Sequence, residues 1–316
     1  MQIIDGHCDV LLKMYEDPQI DFFDPNTSKL DVSYSGMVQG GVKIQCFAIY
    51  LPERITQPRF DHYLEYIDIF LRKIASDPRI RHIKTRGDLE AVMSGKQTGA
   101  ILTLEGADAI GGNPVYTRTL HTLGVRIIGP TWNYANWAAD GVLEPRQGGF
   151  SRRGKIFIKE CCDLGILLDV SHLTERAFWD VAETTSKAFV ATHSNVKTLC
   201  GHPRNLTDEQ IREIIGRDGR IGLTFVPWFV KSPAQGKATI DDLLRHVEYL
   251  CALGAQNQIT FGSDFDGISQ WIPGLEKAGN YGHLVQALLK RYPDELVRRF
   301  LYGNWFRFLQ QKLPVH

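Results

Sequence analysis

A chain of 316 residues with 43 % hydrophobic and 23 % charged content is ordinary globular material, long enough to bury a large core. Lysine plus arginine and aspartate plus glutamate balance at 36 each, so no global field favours nucleic acid or an anionic membrane, and a small or zwitterionic ligand suits the chain better. No apolar run approaches the ~18 residues needed to cross a bilayer.

The opening Met1-Gln2-Ile3-Ile4-Asp5 has no basic and apolar leader pattern, and no anchor signal marks the C-terminus, so a cytoplasmic chain is expected. Six cysteines, at 8, 46, 161, 162, 200 and 251, are scattered without a C-x-x-C pair. Adjacent Cys161 and Cys162 fall in a helical pattern, where neighbours bridge poorly, so reduced structural thiols are expected.

Along the chain, apolar β-branched runs alternate with amphipathic helical stretches. The predicted strands are 3–7, 42–51, 99–104, 125–130, 165–170, 189–192, 220–225 and 258–261. The predicted helices include 62–75, 152–164, 175–184, 208–215 and 239–253. Thr207, with Gln210 three residues later, marks a helix start. Eight strands alternating with helices point to parallel βαβ units, and eight is the count at which such a sheet closes. An open doubly wound sheet is the competitor, but no G-x-G-x-x-G follows the first strand and no phosphate-binding glycine loop is present. The expected fold is α/β, a single (β/α)8 TIM-type barrel spanning 1–316 as one domain.

The polar residues of interest gather where strands end: Asp5-Gly6-His7-Cys8-Asp9, Leu104-Glu105-Gly106, Asp169-Val170-Ser171-His172, Thr192-His193-Ser194-Asn195 and Gly262-Ser263-Asp264-Phe265-Asp266-Gly267. In a parallel barrel all these ends open onto one face, where barrel active sites lie. Residues i and i+2 of a strand share a side, so His7 and Asp9 point together and Cys8 points away. An imidazole and a carboxylate on one side form a pair suited to zinc. Asp5 shares that parity one layer deeper, as buried support for His7. Taken singly, His172 or His193 reads as readily as a hydrogen-bonded structural residue, Glu105 as a loop carboxylate, and Asp264 and Asp266 as turn residues; the joint pattern across strand ends is what favours a metal site. His62, His82, His121, His246 and His283 fall in helical or loop stretches and are read as solvated or structural. The aromatic residues of the last helix, 303–309, are expected to pack on the barrel exterior.

These residues, together with Thr131-Trp132-Asn133, Asn136, His202-Pro203-Arg204-Asn205-Leu206 and Gly303-Asn304-Trp305-Phe306-Arg307, resemble the bacterial branch of the membrane (renal) dipeptidase family of zinc peptidases over nearly the whole chain. The resemblance implies a metallo-dependent hydrolase barrel with two Zn2+ ions per chain: His7 and Asp9 on one, His172 and His193 on the other, Glu105 bridging both. It implies dipeptide hydrolysis, L-D dipeptides included, by a hydroxide shared between the metals and aimed at the scissile carbonyl. Glu105 and Asp264 are then the catalytic carboxylates, with Asp264 as proton shuttle or partner of the substrate amine and Asp266 as the alternative. Arg204 matches the substrate-binding arginine, a guanidinium fork suited to a free C-terminal carboxylate. One departure is Trp132, which stands where the mammalian members have a substrate-contacting histidine. An indole donates through Nε1 only and cannot shuttle a proton, so that role is not transferred; Trp132 and Asn133 shape the substrate pocket instead. The implied partner is a dipeptide, with no nucleic acid and no membrane, and the family is often a homodimer.

Two other readings compete. Another binuclear-metal amidohydrolase, of lactonase or deaminase type, usually opens with His-x-His, whereas this chain has His7-Cys8-Asp9. A catalytically dead barrel serving as a binding protein would show lost ligands, whereas His7, Asp9, Glu105, His172, His193, Arg204 and Asp264 are all present.

Overall fold

A computed structural model describes residues 1–315. Its strands are β1 (Ile3–Asp5), β2 (Val42–Tyr50), β3 (Ile80–His82), β4 (Thr98–Glu105), β5 (Val125–Gly129), β6 (Leu167–Leu168), β7 (Val190–Ala191), β8 (Arg220–Leu223) and β9 (Ile259–Phe261). Every pairing is parallel, in the order β6-β5-β4-β2-β1-β9-β8-β7. A parallel bridge from Asp169 to Val190 and a 2.8 Å bond from Val170 N–H to Val190 C=O join β6 to β7, completing the ring. The eight strands of this ring coincide with the eight expected from the sequence, giving the (β/α)8 barrel.

β3 was not anticipated. It adds three residues outside the ring, pairing Ile80–His82 with the start of β4, and so short a segment carries no readable period. β6 and β7 are shorter than expected, and just beyond them Asp169 and Thr192 bond each other through their side chains.

Helices Arg152–Leu164 and Glu175–Thr184 match the sequence reading, and Phe60–Lys73, Asp208–Gly216 and Ile240–Ala252 match it within about two residues at each end. Thr207 caps its helix as expected, its hydroxyl accepting Gln210 N–H while the Gln210 side chain accepts Thr207 N–H. No helix among the described residues is long and apolar enough to cross a membrane. All six cysteines are free.

The final helix, Asn304–Lys312, departs from expectation. Trp305, Phe308 and Leu309 do not cover the outside of the barrel but form one buried cluster with Ile4, Ile44, Cys46, Ile101, Ile127, Leu167 and Val190. Ile101 lies four residues before Glu105, on the same side of β4, so this cluster is the inner layer at the N-terminal end of the barrel. A Cβ on Gly6 would come within 3.2 Å of the Trp305 indole. The C-terminal helix therefore closes the end opposite the polar mouth.

Candidate active site

Strand ends deliver the candidate residues to one point. His7 Nε2 lies 3.5 Å from Asp9 Oδ2, 3.5 Å from Glu105 Oε2 and 3.8 Å from Asp264 Oδ1. Glu105 Oε1 lies 2.7 Å from His172 Nε2 and 3.5 Å from His193 Nε2. The His172 and His193 Nε2 atoms are 2.9 Å apart, and the His7 and His193 rings stack at 3.9 Å. His7, Asp9, Glu105, His172 and His193 are each less than a tenth exposed. His7 and Asp9 do face one way and Cys8 the other, Cys8 being buried in the outer core.

The two distal histidines are aimed by their other ring nitrogens. Thr192 donates its only hydroxyl proton to Asp169, so its oxygen must accept from His193 Nδ1 at 2.8 Å. The proton therefore sits on Nδ1, and Nε2 points its lone pair into the cluster. His172 Nδ1 meets Asn133 Oδ1 at 2.9 Å, with the same consequence. Burial first, then the Arg204 charge, pushes His172 down to about 4. Burial, then His7, takes His193 well below its ordinary value. Both are neutral imidazoles at pH 7.

His7 differs. Burial opposes a charge there, but Glu105 and Asp9 outweigh it and raise His7 well above its ordinary value. Burial likewise opposes charge on Glu105, yet His7 and His172 hold it well below the usual carboxylate range. Burial lifts Asp264 to about 7, against the pull of His7.

This donor set fits divalent metal. His7 Nε2 and Asp9 Oδ1 are buried without any hydrogen-bond partner, a costly state that a cation would relieve. His7, Glu105 and His193 each offer one ligand atom within 4.8 Å of the others, as do His7, Asp9 and Asp264. Imidazoles and carboxylates in such clusters suit zinc-like ions.

Asp5 supports His7 through the backbone rather than the imidazole. Its carboxylate accepts His7 N–H at 3.3 Å, Ser263 N–H at 2.9 Å and the Ser263 hydroxyl at 2.6 Å, tying the ends of β1 and β9 together. Asp266, the alternative to Asp264, points elsewhere: it accepts Asp31 N–H at 2.8 Å and Val32 N–H at 3.0 Å, clamping a loop. Asp264 and Asp266 have φ of 66° and 67°, a left-handed conformation that aspartate tolerates better than most residues.

Asp9, Glu105, His172 and Asp264 line a cavity of about 310 Å³, with His7 and His193 buried against them. Arg204, 4 % exposed, enters from the side: its guanidinium donates to Ser171 C=O and, at 3.3 Å, to His193 C=O, and reaches within 3.0 Å of His172 Nε2. Burial lowers it to about 10, so it stays charged at neutral pH. Trp132 and Asn133 line the same cavity, Trp132 packing on Tyr50 at 5.0 Å. Trp132 also lines a neighbouring cavity of about 680 Å³ and so forms the wall between the two.

Sequence reasoning missed Tyr50, Leu143, Trp228, Phe229 and Ile268 on the cavity walls. It also missed the Asp169–Thr192 pair behind His193. Apolar wall residues carry no motif, but Asp169 lay at a quoted strand end, and its parity with Ser171 was available.

The model of the membrane dipeptidase family, peptidase family M19, matches residues 1–314. A Klebsiella pneumoniae protein, described as an uncharacterized protein in the pqqA 5′ region, is 33 % identical over 262 residues, covering 77 % of this chain and 96 % of that protein. Dipeptidase AC, a metallopeptidase of family M19, has a solved structure that superimposes with a TM-score of 0.91 at 26 % identity, covering 100 % of this chain and 99 % of that one. A Rhodobacter sphaeroides metallopeptidase, solved with a phosphinate mimic of the dipeptide L-Ala-D-Ala, superimposes with a TM-score of 0.89 at 26 % identity over 99 % of each chain. With a family model spanning nearly every residue and the same barrel in its solved relatives, this chain belongs to the membrane dipeptidase family, peptidase family M19.

Proposed function

We propose that this metal-dependent dipeptidase uses two zinc ions, one held by His7 and Asp9, the other by His172 and His193, with Glu105 shared between them. The observation that carries this reading is the convergence of all five side chains, from four strand ends, on one point beside a cavity lined by Asp9, Glu105, His172 and Arg204. Bound zinc supplies a Lewis acid for the scissile carbonyl and lowers the pKa of a water beside it.

The remaining chemistry belongs to the chain. Arg204 keeps its charge inside the cavity, where a guanidinium fork pairs with the substrate's free C-terminal carboxylate and sets which end enters. Asp264 holds a proton at its carboxyl near neutral pH, beside His7, where the leaving amine can receive it. Asn133 holds the His172 ring in place, and Trp132 bounds the pocket. A volume of about 310 Å³ is at the lower end of small-molecule sites, which suits two residues rather than a longer peptide. The relative solved with an L-Ala-D-Ala mimic supports including L-D dipeptides among the substrates. Six free thiols support a reducing, cytoplasmic setting, with residues 1–316 as one catalytic domain.

The test is metal content measured together with turnover of L-L and L-D dipeptides, with lactones as the contrasting panel. Two zinc ions per chain and dipeptide turnover are expected. Arg204→Ala is expected to cost ~2–5 kcal/mol in kcat/KM by removing the partner of a buried carboxylate. Unchanged kcat/KM in that variant sinks the carboxylate role, and turnover of lactones alone sinks the dipeptidase reading.

A further inference from the structure

His202 sits two residues before Arg204 and lines the same cavity, yet the reaction as described gives it no task. Its ring lies 4.3 Å from the Phe229 ring, and the Arg204 guanidinium lies 5.4 Å from that same ring, so imidazole and guanidinium share one wall. The tautomer of His202 is set by the backbone: Arg204 N–H, which can only donate, meets His202 Nδ1 at 3.2 Å. Nδ1 is therefore the acceptor, and the ring proton is on Nε2. Burial first, then the Arg204 charge, lowers His202 to about 4, so this neutral form persists at pH 7. No described residue pairs with Nε2, while the ring as a whole is only half-buried. The cavity wall thus carries an N–H donor beside the charge expected to take the substrate's carboxylate.

We propose that His202 is a further substrate-binding residue, donating its Nε2–H to the C-terminal carboxylate of the dipeptide alongside Arg204. This rests on the dipeptidase reading and adds a residue to it. A guanidinium fixes the carboxylate from one side, and a second, uncharged donor fixes the rotation of that carboxylate about its bond. The donor also discriminates against ligands whose terminal group has no acceptor in that direction.

Two amide substitutions separate this role from simple support of the Arg204 backbone. Asparagine places an acceptor near the Nδ1 position and nothing at Nε2; glutamine places a donor near the Nε2 position and gives up the Nδ1 contact. His202→Asn is expected to raise KM for a dipeptide on the order of tenfold, with kcat within about twofold, because one charge-assisted hydrogen bond is lost. His202→Gln is expected to restore most of that KM. The reverse order, with asparagine near wild type and glutamine impaired, means that the ring only braces Arg204 and overturns the proposal, as does an unchanged KM in both variants. Melting temperatures are measured for each variant. If asparagine folds poorly, His202→Phe, which keeps the packing on Phe229 without either nitrogen, becomes the reference for the glutamine rescue. Wild-type turnover of the same dipeptide anchors the comparison: without it the dipeptidase reading fails, whereas wild-type turnover with unchanged variants fails His202 alone.

Discussion

Gly267 is exposed, its φ lies outside the left-handed region, and yet it has no room for a side chain. A Cβ there would stand 2.3 Å from Asp9 Oδ2 and 2.9 Å from Asp264 Oδ1. Gly267→Ala therefore demands no left-handed backbone and removes no core side chain, and it pushes on two carboxylates of the candidate site. Asp9 is 3 % exposed and packed against His7, so its carboxylate has to retreat by roughly 1 Å to reach an ordinary contact, a displacement that costs on the order of 10²-fold in catalysis. The expected result is kcat/KM for a dipeptide down by about that factor, with metal retention after dialysis weakened by roughly ten- to a hundredfold. The melting temperature of the metal-free protein should stay near wild type, because no buried apolar surface changes. A variant that keeps its full metal content and wild-type kcat/KM refutes the claim that Asp9 and Asp264 must both sit where they do.

Asn133→Ala frees His172 Nδ1 and is expected to weaken metal retention by roughly ten- to a hundredfold, read by competition with a chelator; retention equal to wild type removes Asn133 from the site. Trp305→Ala opens the sealed end of the barrel and is expected to cost about 3–5 kcal/mol in denaturant unfolding, with kcat/KM preserved below the melting transition; equal loss of activity at low temperature would contradict the separation of the two ends. His82 gives a pH signature. Burial first, then Lys84, lowers it from 6.5 to about 4, so below pH 6.5 the unfolded chain takes up a proton that the folded chain refuses. Wild-type stability is thereby reduced as the pH falls from 6.5 to 4, by up to about 1.4 kcal/mol per unit. His82→Gln should make the slope shallower by the share of this one group, and parallel stability–pH curves for the two proteins would show that His82 does not titrate this way.

The barrel was legible because eight β-branched runs recur between amphipathic stretches, a pattern that survives without any tertiary information. The candidate site was legible because its side chains sit at strand ends: His7 and Asp9 lie together, as alternation predicts, although β1 itself stops at Asp5. What escaped had no local signal. Trp305 and Phe308 read as ordinary apolar positions of a helix, and only the closed ring of strands decides that they face its inner layer. Asp5 was read as buried support for His7, one layer deeper on the same side; how it gives that support, through His7 N–H and Ser263, depends on how β1 and β9 meet. The choice between Asp264 and Asp266 lay beyond sequence for a similar reason. Both take left-handed backbone around Phe265, and only the position of the 31–32 loop draws Asp266 away.

The weakest part of the ring and the most exacting part of the site are held by the same bonds. β6 and β7 contribute two residues each, so little strand ladder exists where the ring closes. Asp169 substitutes for it. Its carboxylate accepts Ser171 N–H at 3.1 Å, Thr192 N–H at 2.9 Å, the Ser171 hydroxyl at 2.6 Å and the Thr192 hydroxyl. These bonds join the two strand ends across the seam, and they also fix the Thr192 oxygen as the acceptor for His193 Nδ1. The Ser171 oxygen in turn accepts His193 N–H at 3.1 Å, and Ser171 C=O takes the Arg204 guanidinium. A buried carboxylate with four donors is well satisfied, and groups fixed this way lose little further freedom when substrate arrives. Closure of the barrel, the tautomer of His193 and the placement of Arg204 therefore follow from one buried network, which explains why a ladder of only two residues suffices beside two candidate metal ligands.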